Sequence, residues 1–143
     1  MAYRKLVHLM AVLVLCTSSR AFSEEDARVF VVLTTPDVQT QLMVMILSTQ
    51  MNAQHRLDRI LLCGPAGDLA LEGDEGVILK PVNKSPQMLL RSLIASGVTV
   101  QVCPLYLPNK GLTPEYLVAG VTEASPPLVA GHLLGHGVRL FTF

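Results

Sequence analysis

Two thiols, Cys63 and Cys103, are the residues best placed for chemistry, and each closes an apolar segment, LDRILLC from Leu57 and GVTVQVC from Gly97. A thiol attacks as its thiolate, and a helix start or a nearby cation lowers its pKa from about 8.5 by one or more units. Pro104 can open a helical turn with Cys103 as its cap, although Pro108 should end that turn quickly. Lys110 is the nearest cation in sequence. Cys63 is followed by Gly64 and Pro65, a turn without a clear helix start, so it is expected to be the less acidic thiol. The plain alternative for either is a small buried hydrophobe, the usual fate of a free cysteine.

Other candidates point elsewhere. His132 and His136 in HLLGH are four apart, a spacing that puts two imidazoles on one helical face. No glutamate follows His132, so this is not the metalloprotease helix, and charge near a helix C-terminus is the simpler reading. His55 falls at an expected helix end, exposed to solvent. Thr34-Thr35-Pro36 lacks the glycines that let backbone amides approach a phosphate, so no flavin or nucleotide cofactor is expected. The acids Glu72, Asp74 and Glu75 read as a solvated turn rather than a cation site, and no metal is expected. Hydrolase readings fall away because no serine stands in a G-x-S-x-G setting.

The elements that must position these groups alternate. RVFVVL, from Arg28 to Leu33, is the β-branched run of a strand buried on both faces. Thr34-Thr35-Pro36-Asp37 supplies a hydroxyl cap, a first-turn proline and an acid, which predicts a helix from Val38 to about Gln54. Its middle, LMVMIL, is apolar all round, and the surplus belongs either under a loop or at a subunit interface. Leu57 to Cys63 is a second strand, followed by a loop-like segment to Asn83. Ser85-Pro86 opens a second helix that Gly97 ends, and Val98 to Cys103 is the third strand. Short helices are expected after Thr113 and Ser125, with a last strand from Val138 to Phe143. This order predicts an α/β fold with a mainly parallel sheet and helices on both faces. Ligands in such folds gather at the carboxyl ends of the strands, near a switch in strand order, where Thr34, Thr35, Cys63, Gly64 and Cys103 all fall.

Residues 1–23 read as a secretory signal peptide: Arg4 and Lys5, an apolar run from Leu9 to Cys16, then Ala21 and Ser23 before a cut at Glu24. The alternatives are an uncleaved anchor or, less in keeping with Leu15 before Cys16, a lipoprotein. The run is short of the roughly 20 residues of a spanning helix, so no stable membrane insertion is expected after cleavage. Residues 24–143 then form one domain, periplasmic or secreted. The full chain balances 11 basic against 11 acidic residues. Loss of Arg4, Lys5 and Arg20 leaves the remainder mildly acidic, with no basic stripe for nucleic acid.

The stretch SLIASGVTVQVC, the short helices after it and the terminal RLFTF resemble the DsrE/DsrF-like sulfur-relay family over about Arg28 to Phe143. The resemblance implies a flavodoxin-like three-layer sandwich that assembles into homo-oligomers. It also implies that Cys103 accepts sulfane sulfur as a persulfide and exchanges it with donor and acceptor proteins. A secreted sulfur carrier, or sulfurtransferase-like relay, is therefore the expected function. The alternative is a non-catalytic oligomeric binding or scaffold protein of the same fold. In the flavodoxin-like strand order the first strand lies between the second and third, which separates Cys63 from Cys103 by about 9 to 10 Å. A disulfide needs Cα atoms within about 7 Å, so the two are expected to stay unpaired.

Overall fold

In the RVFVVL segment nearly every side chain is buried, which only a central strand permits. A computed structural model describes residues 27–73 and 75–143; the signal-peptide reading of residues 1–23, with Cys16, lies outside them. The strands are β1 (Arg28–Leu33), β2 (Leu57–Leu62), β3 (Thr99–Val102), β4 (Val121–Glu123) and β5 (Val138–Thr142). They form one sheet in the order β4-β3-β2-β1-β5, with every pairing parallel. The α/β sandwich with a parallel sheet is the expected fold class.

Strand order corrects one expectation. β1 lies between β2 and β5, and β2 pairs directly with β3, Leu62 opposite Val102. The two cysteine-bearing strands are therefore neighbours, and no strand separates them.

Among the described residues four helices complete the layers: α1 (Val38–Ala53), α2 (Pro86–Ala95), α3 (Tyr106–Lys110) and α4 (Pro126–Leu133). From β1 to β4 the chain steps one strand at a time in a single direction, so right-handed crossovers place the intervening helices on one face. There Val44 and Met45 of α1, Leu90 and Leu93 of α2 and Leu107 of α3 pack with Val29, Val31 and Leu33 of β1. The return from β4 to β5 crosses the whole sheet and brings α4 to the opposite face. That face has a small second core of Phe30, Leu61 and Ala124, joined by Val129 of α4.

Local signals place most boundaries. Asp37, rather than a threonine, caps α1 and accepts the Thr40 amide at 2.7 Å. Ser85 caps α2 and accepts the Met88 amide at 3.1 Å, and Gly97 follows it with φ +88. The apolar middle of α1 is largely absorbed by the sheet and α2; Met43 and Leu47 remain outside, 54% and 38% exposed. More apolar surface is open at α4 and β5, where Leu128, Leu134, Leu140 and Phe141 are exposed. Among the described residues no helix is long and apolar enough to cross a membrane.

Candidate functional site

Both thiols continue the ladder of their strands by one residue. The Cys63 amide donates to the Leu33 carbonyl at 2.9 Å, and the Cys103 amide donates to the Leu62 carbonyl at 2.8 Å. Each then starts a turn in the same way: Ala66 N–H donates to the Cys63 carbonyl at 3.2 Å, and Tyr106 N–H to the Cys103 carbonyl at 2.9 Å. With Leu62 opposite Val102, the next residues stand side by side across neighbouring strands about 4.8 Å apart. The expected separation of the thiols is therefore wrong. Both are reduced and half-buried.

Hydrogen bonding with the neighbouring Cys103 thiol favours the protonated form of Cys63. Burial first, then charge on Cys103 and this hydrogen bond, push the Cys63 pKa up to about 12. At neutral pH Cys63 keeps its proton. Cys103 is the thiol that walls an open cavity.

The turns after the two strands differ from expectation. Cys63 caps a 3₁₀ helix over Gly64–Ala70, where a loop was expected, and Gly64 takes φ +53 to let the chain turn off β2. Cys103 caps nothing: α3 begins only at Tyr106, with Leu105 before it. Pro108 lies inside α3, in the first turns where its missing N–H costs little.

A cavity of about 530 Å³ opens between the 3₁₀ helix and α3, walled by Gly64, Asp68, Cys103, Tyr106, Asn109 and Lys110. Its polar side is organised around Asp68, which accepts from the Tyr106 hydroxyl and from Lys110 Nζ at 2.8 Å. Burial alone would push Asp68 up, but the hydrogen bonds from Lys110 and Tyr106 and the Lys110 charge hold it below the usual carboxylate range. Burial, then the hydrogen bond to Asp68 and its charge, push Tyr106 up in turn. Lys110 also sits 5.6 Å from the Tyr106 ring centroid. The lysine singled out in sequence thus faces the cavity as half of an ion pair. The Tyr106 ring rests directly on Gly67, where a Cβ would overlap it. A second, apolar cavity of about 300 Å³ meets Cys103 from the α4 side, between Leu61, Pro104, Ala124 and Val129.

The remaining candidates lie apart from the thiols. The reversal of strand order falls between β1 and β5. There Thr34 donates from its amide (2.7 Å) and hydroxyl (2.8 Å) to the Phe143 carbonyl, which ties the two strand ends together. Thr35 accepts the Asp37 amide at 3.1 Å. His132 lies against the α4 face of the sheet, its Nε2 accepting from Arg59 Nη2 at 2.7 Å and its Nδ1 3.6 Å from Asp58. His136 lies beyond α4, before β5. Sequence reading missed Asp68 and Tyr106, which stand five residues after Cys63 and three after Cys103. It also treated Cys63 as remote; only knowledge of strand order would have joined it to Cys103.

No protein-family model and no curated protein matches the chain. Solved structures do. The YchN protein from E. coli superposes with a TM-score of 0.66 at 21% identity, over 82% of this chain and 99% of that one. MTH1491 from Methanobacterium thermoautotrophicum, described as a protein of unknown function, gives 0.58 at 16% identity, again over 82% and 99%. At such identities the fold is what is shared.

Proposed function

We propose that this protein is an exported sulfur carrier whose nucleophile is Cys103. The observation that carries this reading is the pairing at the carboxyl end of the sheet: Cys103 walls an open cavity while Cys63, level with it on the neighbouring strand, is kept protonated by burial. In the loading step the Cys103 thiolate attacks the outer sulfur of a donor persulfide. A bond forms between the Cys103 sulfur and that outer sulfur, the donor's S–S bond breaks, and the donor leaves as a thiolate. An acceptor thiolate removes the outer sulfur by the same displacement. The cavities on the two sides of Cys103 give the incoming and departing groups separate approaches.

The test is the intact mass of the protein after exposure to a persulfide donor, compared with Cys103→Ser. The carrier reading expects an adduct one sulfur atom heavier that the variant cannot form. If neither protein takes up sulfur, the chain keeps the fold as a binding or scaffold protein without covalent chemistry.

A further inference from the structure

The second thiol has no task in a simple carrier, since one cysteine suffices to accept and deliver sulfur. Cys63 nevertheless lies level with Cys103 on the adjacent strand, each one residue beyond the paired Leu62 and Val102. Adjacent parallel strands hold such Cα atoms within the 4.4 to about 7 Å window of a disulfide, with no backbone displacement. Cys63 also packs with the small core of Phe30, Leu61 and Ala124, whereas the open 530 Å³ cavity is walled by Cys103. Its neighbour's sulfur is the electrophile within its reach.

We infer that Cys63 is a resolving thiol: it attacks the inner sulfur of a Cys103 persulfide, closes a Cys63–Cys103 disulfide and expels the outer sulfur as hydrogen sulfide. This rests on the carrier reading above. A bond forms between the two cysteine sulfurs and the S–S bond of the persulfide breaks. The proton of Cys63 leaves with the departing sulfide, and the Cys63 sulfur is oxidised as the sulfane sulfur is reduced. No external reductant enters the step. One equivalent of sulfide per chain is its limit until an outside thiol reduces the disulfide.

Timing follows from the environment of Cys63. Attack requires it to give up its proton, which burial and the charge on Cys103 resist. Once Cys103 carries sulfur, charge moves to the outer atom and part of that resistance is lifted. A loaded protein therefore first offers its sulfur to an acceptor, and discharges it as sulfide when none arrives.

The experiment loads the full chain with inorganic polysulfide, desalts it without reductant, and follows sulfide release, intact mass and a non-reduced peptide map. Wild type, Cys63→Ser, Cys63→Ala and Cys103→Ser are compared. Wild type is expected to release sulfide and end as the Cys63–Cys103 disulfide, two hydrogens lighter than the reduced chain. Both Cys63 variants are expected to keep the extra sulfur, with release slowed about tenfold or more. Wild type that loads at Cys103 and holds its sulfur as long as the Cys63 variants overturns the inference and leaves the carrier standing. Failure of every protein to load removes both.

Discussion

Cys63 stands level with Cys103 on the neighbouring parallel strand, and burial together with that neighbour pushes its pKa up. The pair is therefore chemically unequal although the two backbones match. Alkylation near neutral pH should label Cys103 faster, and Cys63 labelling should climb as the pH rises toward about 12. Replacing Cys103 by serine removes the charge that opposes ionisation, so Cys63 should label at lower pH in that variant. Iodoacetamide labelling read by peptide mass checks this, and equal labelling of the two thiols near neutral pH would contradict it.

Stability should carry the same signature on the alkaline side. The Cys63 thiol ionises at a higher pH folded than unfolded, from an ordinary value of 9.0 to about 12. Its contribution is complete below 9 and is lost as the pH rises through that interval, because the unfolded chain sheds the proton first. Tyr106 has the same sign, starting from its ordinary 10.0. Denaturant midpoints for wild type should therefore fall between pH 9 and 11 more steeply than those of Cys63→Ser. Parallel curves would refute the assignment.

Gly67 precedes the cavity-lining Asp68 and packs against the Tyr106 ring. A methyl group there overlaps the Tyr106 ring, and the ring is held by Asp68 and by its own burial, 5% exposed. Gly67→Ala should cost about 1–3 kcal/mol through overpacking and change the rate at which Cys103 is alkylated. Urea denaturation and labelling together check it; a neutral variant with unchanged labelling would mean that the ring moves freely.

Ser48 is fully buried in α1, and its hydroxyl has no partner among the described residues. An unpaired buried hydroxyl costs about 1–3 kcal/mol. Ser48→Ala should leave stability unchanged or raise it by about 1 kcal/mol, measured as a higher denaturant midpoint at unchanged slope. A loss of stability would reveal a partner for the hydroxyl.

Assembly into a homo-oligomer remains our expectation, with its surface moved. LMVMIL suggested α1, where Leu42, Val44 and Met45 are buried while Met43 and Leu47 stay exposed; more apolar surface is open elsewhere. Leu134 at 84% exposure and Leu140 at 49% lie just after α4 and on β5, which is an edge strand among the described residues. Light scattering should give more than the monomer mass at micromolar concentration, and Leu134→Glu with Leu140→Glu should return it to the monomer. A monomeric wild type would end the idea.

The fold was largely readable because its signals are local. Asp37, Ser85 and Gly97 punctuate helices, and RVFVVL can only be a central strand. The site was half readable for the same reason. A cysteine at the end of β3 is visible in the residues before it, whereas its pairing with Cys63 depends on which strands are neighbours. Periodicity within a strand carries no information about the order of strands. β4 escaped notice because three residues, Val121–Glu123, are too few to show an alternation. The wall of Asp68 and Tyr106 escaped because it is made between two turns that are contiguous only in space.

The position of β5 also shapes how the molecule is reached from an unfolded chain. β1 and β2 can pair as soon as the first helix forms, and β3 and β4 add in succession. The other edge of β1 waits for Val138–Thr142, and Thr34 meets Phe143 across 109 positions. Closing so long a loop is a slow, entropically opposed event. Until it happens the most apolar strand of the protein exposes a bare edge to any other unfinished chain. The last few residues therefore act as a latch on folding, and shortening the chain at Arg139 should show itself first as aggregation during synthesis rather than as damage to the thiol pair.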